Sequence, residues 1–67
     1  MINNEKEIIC SSDNYRIVKF RNKYIVEEKK TFMKLWVIVK SYTFLSDKRE
    51  ESAKQGAYDF YIKLINK

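Results

Sequence analysis

Residues 46–66 read SDKREESAKQGAYDFYIKLIN, and this stretch decides the fold. It is the only segment long enough, and regular enough in its apolar spacing, to be one good helix. Ala53, Ala57, Phe60 and Leu64 recur at steps of four, three and four, the spacing of a single buried stripe. Asp47 with Glu50 three residues on has the capping-box spacing, and Ser46 is an alternative cap. The stripe does not exhaust the apolar content. Measured from Ala53, Tyr58, Ile62 and Ile65 lie roughly 120–180° around the helix at about 100° per residue. One sheet face cannot cover both sides, so these three need another cover. The Ile8–Cys10 segment, a second copy of the chain or a foreign partner could supply it.

Working outward from the helix, everything before it reads as short strands. Tyr15 to Arg21 is rich in aromatic and β-branched residues. Asn22 tolerates a left-handed backbone, so Arg21–Lys23 is a turn and Lys23 to Glu28 the returning strand. A longer connection spans Lys29 to Lys34, and Leu35 to Phe44 is the third and most apolar strand. Residues 1–14 form a polar segment ending in the loop signal Ser11-Ser12-Asp13-Asn14, with Ile8, Ile9 and Cys10 able to add a short N-terminal strand. The fold class is therefore α+β: residues 15–67 form one domain, a three-stranded antiparallel meander packed by one C-terminal helix.

Strict alternation places Val18 and Phe20 on one sheet face and Tyr15 and Ile17 on the other. In the third strand it sets Leu35, Val37 and Val39 against Trp36, Ile38, Tyr42 and Phe44. Both faces carry apolar residues, so the face away from the helix is expected to be more than ordinary solvated surface.

Sixty-seven residues lie near the lower limit for a self-supporting core. Cys10 is the only cysteine, which rules out an intramolecular disulfide and fits a reducing compartment. There is no histidine, so the commonest metal ligand and the commonest catalytic base are both missing. Glu27 and Glu28 point to opposite faces of a strand and cannot work as a carboxylate pair. Glu50 and Glu51 complement the helix dipole. The single glycine, Gly56, excludes a glycine-rich phosphate loop and instead suits close approach of helix and sheet. No enzyme activity, metal or cofactor is expected. The start MINNEKEIIC lacks a basic region and a long apolar run, and Leu35–Val39 is too short to span a bilayer. A cytoplasmic protein with no membrane partner follows as the expectation.

Charge is uneven. The net +5 divides into −2 over residues 1–14, +6 over 15–45 and +1 over 46–67. Arg16, Lys19, Arg21 and Lys23 cluster around the first hairpin, interleaved with Tyr15, Phe20 and Tyr24. Cations can meet phosphates while aromatic rings stack on bases, which makes nucleic acid one candidate ligand. A lysine-rich edge that discourages aggregation is the plainer reading.

The order of a three-stranded sheet and one helix resembles the DNA-binding domain of plant ethylene-response factors and the arm-binding domain of phage-type integrases. Ala57-Tyr58-Asp59, late in the helix, is similar to the Ala-Tyr-Asp of the plant family. That resemblance implies a sheet face entering the major groove. The chain also looks like short phage reading frames with a Tyr-rich strand pair, a Trp-bearing strand and a final helix. Ile, Asn, Lys, Tyr and Phe supply about half of the residues and have AT-rich codons, which suits a phage, another mobile element or an AT-rich cellular genome.

The apolar surplus points elsewhere. Trp36, Tyr42 and Phe44 on the sheet, with Tyr58, Ile62 and Ile65 on the helix, suit protein recognition, because aromatic residues make large desolvated anchors. A phage-type chain of this size is expected to act stoichiometrically, inhibiting or retargeting a host protein such as a defence nuclease or transcription component. Part of the surface could equally serve a homodimer. The alternative is sequence-tolerant DNA binding through the basic face of the sheet.

Overall fold

A computed structural model describes residues 6–30, 32 and 34–66 of the chain. The start of the polar N-terminal segment, residues 1–5, lies outside the described residues, as do Thr31 and Met33 of the connection and the final Lys67. Four strands and a helix follow one another: β1 (Glu7–Ser11), β2 (Tyr15–Phe20), β3 (Lys23–Lys30), β4 (Leu35–Thr43) and α1 (Asp47–Ile65). The strands form one antiparallel sheet in the order β1-β2-β3-β4. The α+β class and the meander are as the sequence indicates, and the Ile8–Cys10 segment supplies a full fourth strand.

The central of the three hairpins, β2–β3, has the tightest turn. Phe20 pairs with Lys23, so the β2–β3 turn has only two residues, Arg21 and Asn22. Arg21, not Asn22, takes the left-handed conformation, with φ of 57°. Asn22 is used differently. Its side-chain Nδ2 donates to the Phe44 carbonyl at 3.2 Å, and its own carbonyl accepts from the Phe44 amide at 2.9 Å. The turn of the central hairpin is thereby tied to the corner where β4 leads into the helix.

Each edge strand carries a bulge. In β1, Ile8 pairs with Val18 and Cys10 with Ile17, so Ile9 is an extra residue. Both Ile9 and Cys10 consequently pack against the helix-side core, which strict alternation would forbid. In β4, Lys40 pairs with Val26 and Ile38 with Glu27, leaving Val39 as the extra residue. This bulge corrects the expected faces. Trp36 and Ile38 stay on the face away from the helix, whereas Tyr42 and Phe44 move to the helix side.

The core lies between helix and sheet: Ile17, Tyr24, Val26, Phe44, Ala53, Ala57 and Tyr61. The buried helix stripe runs Ala53, Ala57, Tyr61, while Phe60 and Leu64 of the expected stripe are only half-buried flanks. Tyr58 also packs against the core cluster, on the same sheet side as Ile9 and Cys10, which meets part of its need for cover. Ile62 and Ile65 remain exposed. The helix rests on β2, β3 and β4. Near its start Glu50 reaches Lys19 and Tyr24, at its middle the small Gly56 lies against the Tyr42 ring of β4, and Tyr61 on its other flank reaches toward Cys10 of β1.

Ser46 is the N-cap, in extended conformation, but its side chain makes no capping bond. The expected capping box does not form, because Glu50 accepts from Lys19 Nζ at 2.8 Å and from the Tyr24 hydroxyl at 2.7 Å. No helix among the described residues is long and apolar enough to cross a membrane.

Candidate protein-binding face of the sheet

The strand register assembles the face away from the helix in cross-strand rows. Ile8, Val18, Ile25 and Ser41 make one row, and Ser11, Arg16, Glu27 and Ile38 the next. Phe20, Lys23 and Thr43 lie beyond the first row, and Lys29 with Trp36 beyond the second. Among the described residues no helix or strand packs on this outer face.

Its floor is nevertheless shielded from solvent: Val18 is 0% exposed, Ile25 5% and Glu27 2%. Around that floor stand exposed apolar side chains, Ile8 at 56% and Ile38 at 61%, with Phe20 and Trp36 half-buried. An isolated carboxylate could not remain ionised in such a place without large cost. Glu27 is matched by two cations. Arg16 Nε lies 2.7 Å from Oε1 and Lys6 Nζ 3.3 Å from Oε2. The Arg16 guanidinium also stacks over the Trp36 ring, 4.2 Å from its centroid. A cross-strand ion pair therefore fixes the most aromatic part of the face.

The expected site residues do not share one surface. Trp36 belongs to the outer face, but Tyr42, Phe44 and Tyr58 are spent on the helix–sheet core. Ile62 and Ile65 are exposed on the helix at 46% and 43%. The other set is divided as well. Arg16 faces outward toward Glu27, and Lys19 faces the helix, bridged to Glu50 at 2.8 Å and lying near the Tyr24 and Phe44 rings. Arg21 sits in the turn against Phe20, and Lys23 is exposed on the outer face. Period-two alternation makes this split unavoidable, since positions 16 and 19 differ in parity. The four cations do not form one basic surface.

Glu27, Ile8 and Ile38 are outer-face residues that the sequence reading did not place in a site. For Glu27 the signal was available: a two-residue turn at Arg21–Asn22 sets Arg16 directly opposite Glu27. A three-residue turn would have set Ile17 there instead. As expected, Glu27 and Glu28 point to opposite faces, Glu28 being bridged to Lys30 at 3.1 Å. Comparison with known protein families, with curated proteins and with solved structures returned no match.

Proposed function

We propose that this domain is a non-enzymatic protein-binding module that acts stoichiometrically, with the outer face of the sheet as its contact surface. The observation that carries this reading is the pairing of exposed apolar side chains, Ile8 and Ile38, with a preorganised aromatic and ionic patch, Trp36–Arg16–Glu27. Binding is strongest where aromatic and arginine side chains are held rigid before the partner arrives, because less side-chain freedom is then lost. The size and the AT-rich-codon composition suit a phage-type or mobile-element protein, and the partner is then a host protein such as a defence or transcription component. The cytoplasm of the host cell is the corresponding location.

The test is capture by the immobilised protein from a lysate of the cells in which it is made, with and without nuclease treatment. A partner protein retained after nuclease and lost with the folded variant Ile8→Glu/Ile38→Glu supports the reading. Loss of every partner on nuclease treatment supports nucleic acid instead. Capture that ignores both substitutions places the contact away from the outer face.

A further inference from the structure

The first half of β4, Leu35–Val39, is thinly covered: Leu35, Ile38 and Val39 are exposed, and Trp36 and Val37 are half-buried. The helix contacts β4 near Tyr42 and leaves Leu35 42% and Val39 38% exposed. Among the described residues the outer face carries no second layer over Ile38, and β4 is the last strand of the sheet. The run LWVIV has high β propensity, no proline and no charge, so its free backbone edge, regular up to the bulge at Val39, is a ready template for another extended chain.

The charges around this edge state what can pair with it. Lys34 precedes the run and Lys40 follows it, both exposed, and Lys29 stands beside Trp36. From Lys29 to Ser46 the sequence carries four lysines and no acidic residue. A second copy of the chain is a poor complement. Antiparallel self-pairing centred on Val37 would set Trp36 against Ile38, but it would also lay two lysine-rich strands side by side with no acidic residue to oppose them, and the bulge at Val39 breaks its register. An extended segment with an apolar centre and acidic flanks meets both conditions.

We infer that the Leu35–Val39 edge of β4 accepts an acid-flanked extended segment of a partner protein as a fifth strand. Main-chain hydrogen bonds hold it in line, and Lys34 and Lys40 read its acidic ends. This rests on the protein-binding reading of the outer face and specifies how the partner docks.

The probe is a synthetic peptide, Glu-Glu-Val-Thr-Val-Thr-Val-Glu-Glu, titrated into the full chain while amide hydrogen exchange is followed. Three controls accompany it: the same peptide with lysine flanks, the same peptide N-methylated at alternate residues, and the variant Lys34→Glu/Lys40→Glu. The expected result is slowed exchange across residues 35–39. Binding should also fall tenfold or more with N-methylation, with lysine flanks and in the double variant. Equal binding of the N-methylated peptide would show plain charge attraction and overturn strand addition, as would the absence of any binding. A concentration-dependent dimer that excludes the peptide would overturn it in favour of a second copy. Ile8, on the opposite edge, separates the two ideas. Cellular capture that survives Lys34→Glu/Lys40→Glu but fails with Ile8→Glu leaves the outer face standing and removes the β4 edge.

Discussion

Arg16 and Glu27 are directly opposed across β2 and β3, and their side chains meet at 2.7 Å on the one sheet face that the helix does not cover. A buried ion pair of this kind adds little net stability against an apolar pair of equal volume, but losing one partner strands the other. Among the described residues Arg16→Met leaves Glu27 with Lys6 alone, at 3.3 Å, and it also removes the stack on Trp36. Urea unfolding should show a loss of about 3 kcal/mol for Arg16→Met. The double change Arg16→Met/Glu27→Met should recover more than half of that. Trp36, the only tryptophan, reports the local change through its fluorescence.

The cluster Lys19–Glu50–Tyr24 gives the fold a defined response to pH. Its Glu50 carboxyl is held below its ordinary 4.5, first by the Lys19 hydrogen bond and then by that of Tyr24. A depressed acid stabilises the fold above its unfolded value, and this contribution is lost as pH falls through the folded value. Tyr24 moves the other way, from 10.0 up to about 12, mainly by burial and then by its bond to Glu50. Lys19 is also raised, chiefly by the Glu50 bond. Raised groups stabilise the fold below their unfolded values and release that stability as pH rises. Stability should therefore be flat from about pH 6 to 9 and decline between about pH 10 and 12. In Tyr24→Phe the tyrosine share of the alkaline decline should disappear. Loss of its hydrogen bond should cost about 1 kcal/mol at neutral pH. Thermal unfolding across the pH range measures both.

Gly56 and Tyr42 should behave as a coupled pair. A Cβ at position 56 would stand 2.9 Å from Tyr42 Cε2 and 3.1 Å from Cδ2, so the ring must move. Alanine is favoured over glycine within a helix by about 1 kcal/mol, which sets the size of the opposing gain. Gly56→Ala in the wild-type background should fall short of that gain, and Gly56→Leu should destabilise by about 2 kcal/mol or more, as overpacking does. Combined with Tyr42→Ala, Gly56→Ala should recover its helix-propensity gain. A double-mutant cycle that shows additive effects would exclude the contact.

Cys10 should be a slow thiol. Burial raises its pKa above the ordinary 9.0, and bonds to Tyr61 and to the Ile17 backbone only partly oppose this. Because the thiolate is the reactive form, modification by a disulfide reagent at pH 8 should run at least about tenfold slower than in denaturant. Tyr61→Phe should raise the pKa further and slow the folded-state reaction again, provided that the variant stays folded by circular dichroism. Acceleration would instead mean that Tyr61 mainly shields the sulfur.

How much was legible before folding depended on the range of the interaction. The helix from Asp47 to Ile65, the meander, the close approach at Gly56 and the opposed directions of Glu27 and Glu28 all follow from periods of 3.6 and 2 within single elements. The candidate site was far less legible. Tyr42 and Phe44 left the predicted apolar face because one extra residue, Val39, reverses the alternation of β4 halfway along. Phe60 and Leu64 gave way to Tyr61 because the helix, resting on β2, β3 and β4, turns the line Ala53–Ala57–Tyr61 toward the sheet. Glu50 left its capping role for Lys19 and Tyr24, two strands away.

By itself, then, the sequence determined which segments are strand or helix and that apolar side chains exceed what one helix–sheet interface can hold. Only the tertiary structure decided which of those side chains the core absorbs and which stay on the outer face and the β4 edge. Bulges, a two-residue turn and the face that the helix turns toward the sheet made that choice. Each is settled by packing between residues distant in sequence, where no local period records it.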